Sequence, residues 1–342
     1  MTISYRTRQL LKRLFSTVAV IVVLAIFVWL CWLLWLDRFI VYERDYGARL
    51  DFDLKPLTGD GEHLSGTVKP TVPLFIRDPE NPDTPTPEQP QKPISGYHID
   101  FAALKEDIAA LQTKIDALPA GSAVLVDVKH PLGYFYYDSA YGSTYESEID
   151  PAQFESFVAH LTSKDLHVIA RLPAFRDRQF GLNHVEHGIS FQGGGGALWL
   201  DSGNCFWLKP NSDVAQKNLI DITKELRELG FDEVVFTDFS LPNANNIIYN
   251  GDQVQDITNA AKTLADACAT DDFWVSFTGD ATFPLPAGNC RLYLENVAAA
   301  DAQSVASQVA TDDPGMHVLF YATGHDTRYD EYCVLRPLDF AQ

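Results

Sequence analysis

The sequence predicts an α/β protein, a (β/α)8 TIM-like barrel preceded by a single N-terminal transmembrane helix. Three observations carry that expectation. Eight short β-type runs recur from Gly96 to the C-terminus, at 96–99, 123–129, 167–175, 233–239, 273–277, 291–297, 317–322 and 332–337. Amphipathic helical stretches separate most of them, an alternation that a barrel satisfies in about 250 residues. Ahead of them, the 23 residues from Leu14 to Leu36 contain no charge.

That apolar run is long enough to cross a bilayer. At about 1.5 Å per residue it reaches roughly 35 Å, against a hydrocarbon core of about 30 Å. Arg6, Arg8, Lys12 and Arg13 precede it, which keeps residues 1–13 cytoplasmic and places the rest outside. Trp29, Trp32 and Trp35 fall at the exit end, where indole rings favour the headgroup layer. A cleaved signal peptide would need a shorter apolar region and small residues at its end. Here the run ends Cys-Trp-Leu-Leu-Trp-Leu, so residues 14–36 read as an uncleaved anchor in contact with lipid.

Residues 37–94 read as an extracytoplasmic linker. No periodicity is visible over 38–68, and residues 69–93 hold eight prolines. Such a stretch favours an extended, semi-rigid spacer.

Residues 95–342 make the barrel domain. Leu104, Ile108, Leu111, Ile115 and Leu118 recur at helical spacing, as do Leu219, Ile222, Leu226 and Leu229, with Gly230 as a stop. Val254, Ile257, Ala261, Leu264 and Cys268 form a third face, and the Ala-rich stretch 298–309 a fourth helix. No helix is visible between the fifth and sixth strands. A doubly wound sheet fits less well, because no glycine-rich phosphate loop follows the first strand. Gly193–Gly196 lacks the Lys-Ser/Thr of a P-loop and reads as a turn.

A net charge of −20 argues against a nucleic-acid partner. Cys205, Cys268, Cys290 and Cys333 lie in the barrel domain, with no spacing that suggests zinc, and no cofactor is indicated. Cys268 closes a helix and Cys290 precedes a strand, so both belong to the N-terminal face of the barrel. A Cys268–Cys290 disulfide is expected there.

Function in a barrel sits at the C-terminal strand ends. Those ends bring Asp127 and Lys129, Arg171 with Asp177 beyond it, Asp238, Asp280, Glu295 and His325-Asp326. Carboxylates on one rim suit glycoside hydrolysis, in which one protonates the leaving oxygen and another attacks or activates water. Helix capping and solvated loop acids are the plainer account of any single one. Asp127 and Lys129 share a strand face and could pair with each other. The long connection 176–211 contains Trp199 and Trp207, which could stack on sugar, and Asp201 and Asn204, which could bond hydroxyls. Alternatively, both indoles pin the loop to the barrel. His325-Asp326 is the one hint of a metal-dependent deacetylase.

Four motifs add a resemblance. AVLVDVKHPLG, VIARLPAFRD, ALWLDSGNCFWLKPN and KELRELGFDEVVFTDFSLP are similar in order and spacing to a bacterial family of putative glycoside hydrolases, a domain of unknown function distantly related to the α-amylase barrels. They cover residues 95–245 well and the remainder loosely. The family reads Gly-Phe-Asp-Glu-x-x-Phe-Asp-Tyr-x-Arg-Phe-Pro in the fourth motif. Here Thr237 holds the aspartate position, Asp238 the tyrosine and Ser240 the arginine. Strand side chains alternate faces, so Asp238 should turn from the barrel axis unless a local bulge re-aims it.

The expectation is therefore a membrane-anchored, extracytoplasmic glycoside hydrolase-like protein acting on a cell-envelope or surface polysaccharide. Asp238 and Glu295 would be catalytic. Asp127, Lys129, Arg171, Asp177, Trp199, Asp201 and Trp207 would bind substrate. The alternative is an inactive glycan-binding or envelope scaffold domain.

Overall fold

The computed structural model describes residues 40–43, 47–50 and 93–338. The predicted membrane span, residues 14–36, lies outside the described residues. Among the described residues no helix is long and apolar enough to cross a membrane. The chain divides into two compact units, Met1–Pro82 and Asp83–Gln342. In the first, β1 (Ile40–Glu43) and β2 (Gly47–Leu50) pair antiparallel, inside a stretch whose sequence shows no periodicity.

The second unit holds a closed barrel of eight parallel strands. They are β3 (Ser95–Ile99), β4 (Ala123–Asp127), β5 (His167–Pro173), β7 (Glu233–Thr237), β9 (Trp274–Gly279), β10 (Leu292–Leu294), β11 (Val318–Tyr321) and β12 (Cys333–Pro337), and β12 closes on β3. Each matches one of the eight runs read from the sequence. Around them lie α1 (Phe101–Glu106), α2 (Ile108–Asp116), α3 (Pro151–Thr162), α4 (Arg178–Asn183), α5 (Asp213–Glu228), α6 (Gln253–Cys268), α7 (Ala302–Ala306) and α8 (Pro314–His317). The short strands β6 (Ser190–Phe191) and β8 (Ile247–Ile248) pair outside the barrel.

Period-two alternation divides the apolar residues into two layers. Ala123, Leu125, Ile169, Val235, Leu319 and Leu335 fill the barrel interior. Their neighbours Val124, Val126, Val168, Val234 and Phe320 face outward and pack with Leu219 and Ile222 of α5 and Leu264 of α6. Burying each such side chain contributes about 1.5–3 kcal/mol relative to exposure. Gly96 lets β3 lie against β4, since a Cβ there would collide with the backbone of Ala123.

The predicted helix faces hold with local changes. The first helical stretch is two helices, because Asp107 has an extended backbone and caps α2 by accepting from Ala110 N. Val254 and Leu229, assigned to buried faces, are 72% and 39% exposed. Both stand in a terminal turn, where the helix no longer faces the core.

The expected Cys268–Cys290 disulfide is absent, and all four described cysteines are free. Cys268 Sγ instead lies 3.9 Å from the carbonyl of Ile220, and Cys290 packs fully buried within the outer core. Burial pushes the Cys268 thiol up to about 11 and the Cys290 thiol up to about 12, so both are neutral and unreactive.

The N-terminal end of the barrel interior carries a charged cluster. Glu233 is fully buried and accepts from Arg291, from Ser276 Oγ at 2.6 Å and from Tyr293 OH at 2.8 Å, with His167 Nε2 at 2.8 Å. Arg291 also donates to the carbonyl of Met316 and stacks 3.7 Å from the Trp274 ring. Burial acts to raise the Glu233 value, but Arg291 and His167 outweigh it and hold it at about 2, below the ordinary 4.5. The folded chain thus binds that proton more weakly than the unfolded chain. Glu233 contributes stability that is present above pH 4.5 and lost as pH falls towards 2. Glu233→Gln leaves Arg291 without its counter-charge and is expected to lower stability by about 3–5 kcal/mol. Urea unfolding at neutral pH measures this, and an unchanged midpoint would refute the assignment.

Candidate functional site

The C-terminal strand ends surround a cavity of about 770 Å³. Asp127, Lys129, Arg171, Thr237, Asp238 and Glu295 all line it. Two sequence-predicted carboxylates, Asp238 and Glu295, therefore reach one space at the barrel mouth.

Asp127 and Arg171 are register partners on β4 and β5. Arg171 donates Nε to Asp127 Oδ1 at 2.5 Å and Nη2 to Oδ2 at 3.0 Å, a bidentate pair. The amide of Phe101 adds a bond to Oδ2 at 3.1 Å, and His98 Nε2 lies 3.5 Å from Oδ1. Burial works to raise the Asp127 value, but His98 and Arg171 hold the carboxyl below the usual range. A carboxylate so occupied is a strut for Arg171.

The predicted Asp127–Lys129 pair does not form. Lys129 lies beyond the end of β4 and reaches Asp177 Oδ2 at 2.5 Å, with its ammonium 4.8 Å from the Phe135 ring centroid. Asp177 is the cap of α4, accepting from Phe180 N at 2.8 Å, and is 3% exposed. Gly133, with φ of +92°, packs so close that a Cβ would press on Asp177. Asp177 is thus structural rather than substrate-binding, and Lys129 presents to the cavity a charge already neutralised behind it.

The connection 176–211 is a built structure. Asp201 binds Arg176 Nε at 2.6 Å and Trp207 Nε1 at 3.0 Å through one oxygen. Its other oxygen accepts the amides of Gly203 and Cys205 at 2.8 and 2.9 Å. Trp207 packs with Ile189 and Leu241, and Trp199 leans on that cluster while donating to Asn246 Oδ1. None of Trp199, Asp201 and Trp207 lines the mouth cavity; their contacts hold the loop together, the plainer of the two accounts the sequence offered. Asn204 takes a left-handed turn conformation at φ 59°.

Asp238 is the unusual residue. It follows the last residue of β7, whose Thr237 side chain is in phase with the interior residues Glu233 and Val235. A continued strand would point Asp238 outward. Its φ is instead +49°, a left-handed conformation uncommon outside glycine, and the turn brings the side chain to the cavity. Burial pushes its carboxyl above the ordinary value against the pull of Arg176, and Asp201 and Glu295 add to the rise. Glu295, by contrast, is exposed at the lip.

Residues that the motifs did not point to complete the wall. Phe101 stacks on Tyr136 at 5.0 Å and meets the edge of His130 at 5.6 Å, and all three line the cavity. Burial, then Arg176, holds His130 below its ordinary value. The aromatic run after strand β4, HPLGYFYY, was the visible signal. His325 and Asp326 border a second cavity, where Asp326 is clamped by Arg328. Among the described residues no group of three or more His, Cys, Asp or Glu is arranged to hold a metal ion.

The folded chain holds the Asp238 proton more tightly than the unfolded chain does. Stability is therefore lost as pH rises from 3.8 through the folded value. Asp238→Asn removes that loss. Its stability relative to the parent is expected to be higher at pH 7 than at pH 3, read by urea unfolding at both values. A pH-independent difference would contradict the raised carboxyl.

Comparison with known proteins fits this geometry. No curated protein sequence matches the chain. The glycoside hydrolase domain of PgaB (BpsB) from Bordetella bronchiseptica superposes with a TM-score of 0.51 at 12% identity, over 71% of this chain and 94% of that one. The α-galactosidase TtGalA from Thermus thermophilus gives 0.50 at 10% identity, over 72% and 58% of the two chains. A hypothetical protein from Ruminiclostridium thermocellum gives 0.45 at 22% identity, over 53% and 96%. At such identities the likeness to the first two is one of fold. Over residues 105–269, from α1 to the end of α6, the chain matches the family described as a putative glycosyl hydrolase domain, the resemblance its motifs carry.

Proposed function

We propose that this protein is a glycoside hydrolase anchored by residues 14–36 and acting outside the cytoplasm on a polysaccharide of the cell envelope. The observation that carries the reading is the joint presence of Asp238 and Glu295 on one barrel-mouth cavity, with the Asp238 carboxyl raised. Of the two carboxyls it is the one that holds its proton more tightly than usual, which suits the role of protonating the leaving glycosidic oxygen. Exposed Glu295 is the second carboxylate, which attacks or activates water. Arg171, fixed by Asp127, orients sugar hydroxyls from the floor, and the Phe101–Tyr136 stack offers an apolar face to a ring.

A second reading has its own support. Thr237 stands where the resemblance places an aspartate, in phase with the inward positions of β7, and the Asp127 carboxylate is bound to Arg171. A mouth with those changes suits a domain that holds glycan without cutting it.

One pair of measurements separates them. The full chain is presented to an array of linear glycans, and reducing ends are followed on whichever polysaccharide it binds. For a hydrolase, Asp238→Asn and Glu295→Gln each lower turnover by roughly 10²–10⁴-fold with binding kept. A parent chain that binds and releases no reducing ends decides for the second reading.

A further inference from the structure

The mouth does not end at the first cavity. A second one, of about 780 Å³, lies beside it. The two share Arg171 and Glu295 in their walls, so those residues stand between them as a saddle. Each space alone has the size that encloses a drug-sized ligand, roughly 300–1,000 Å³, and one hexose fills neither.

Both sides are equipped for a polar ligand. Among the described residues two buried side-chain oxygens lack a hydrogen-bond partner, Thr278 Oγ1 and Tyr321 OH. Thr278 lines the first cavity and Tyr321 the second. Arg171 lies close enough to the Tyr321 hydroxyl to act on it by charge and by a loose hydrogen-bond contact, short of a well-formed bond. Both oxygens are shielded from the open space and make the walls polar, while Asp238 and Asp280 on one side and His98 and Asp100 on the other line the cavities themselves. A site for a terminal sugar has one closed end beyond the reacting position. Here space and polar groups continue on both sides of it.

We propose that the mouth is a through-going groove that takes the interior of a linear glycan chain. One sugar sits over Arg171 and Glu295, and its neighbours occupy the cavities on either side. This rests on the glycan reading above and specifies its substrate: a polymer engaged along its length, cut internally where it is cut at all.

The test is a length series. Oligosaccharides from mono- to octasaccharide are prepared from the polysaccharide the array selects, and their binding to the full chain is measured by calorimetry. Affinity is expected to rise about tenfold or more from the disaccharide to the hexasaccharide. Thr323→Trp and Ala298→Trp each fill the second cavity from an exposed loop position. Each should abolish the gain for long chains while leaving disaccharide binding and the melting temperature unchanged. A disaccharide that binds as tightly as the hexasaccharide, or both variants retaining the full gain, overturns the groove while the glycan reading stands. An array on which nothing binds sinks both.

Discussion

A closed barrel gives an inward-facing charge nowhere to go, and that constraint organises this molecule. Alternation aims every second residue of eight strands at one axis, and water is excluded from most of it. Charged side chains on that axis persist only where each meets a partner. The chain does this at both ends. Glu233 and Arg291 close the N-terminal end, with Ser276, Tyr293 and His167 taking up remaining bonds. Asp127 and Arg171 do the same at the C-terminal end. Between them lies an apolar plug of Leu125, Ile169, Val235, Leu319 and Leu335. The two pairs differ in access: Glu233 is sealed, whereas Arg171 forms part of the walls of two open cavities.

That ordering explains what the sequence made legible. The strands were visible because apolar residues on both faces write continuous runs, and the helices because α5 and α6 bury one regular stripe each. Asp127, Arg171 and Glu295 could be placed at the mouth by strand phase, whereas Asp238 falls on the outward phase and reaches the cavity only through its left-handed turn. Partner choice could not be read from strand phase. Whether Lys129 meets Asp127 or Asp177 depends on a turn at Gly133 that brings α4 beneath it. The Glu233–Arg291 pair joins residues 58 positions apart, and nothing local to either announces the other. Trp207 looked like a sugar platform because indoles in long loops can be either exposed or pinned. Only the four bonds converging on Asp201 show which applies.

Asp201 and Asp238 show how similar residues separate into roles. Asp201 has both oxygens filled by the loop it organises, and its carboxyl is held low by Arg176 against the effect of burial. Asp238 has a strained backbone and a raised carboxyl. Neither property helps the fold: the left-handed conformation costs of order 1–3 kcal/mol, and a carboxylate that resists ionising adds to it. Folds retain such costs at sites of function more readily than elsewhere.

Thr237 is in phase with the interior, at the position where the resemblance places an aspartate. With a threonine there, the carboxylate of this segment comes round by the turn at Asp238, just after β7, and reaches the wall of the first cavity, which Arg171 also lines. The left-handed backbone at Asp238 is what sets its carboxyl in the cavity wall, so the strain and the placement of the acid belong to one arrangement.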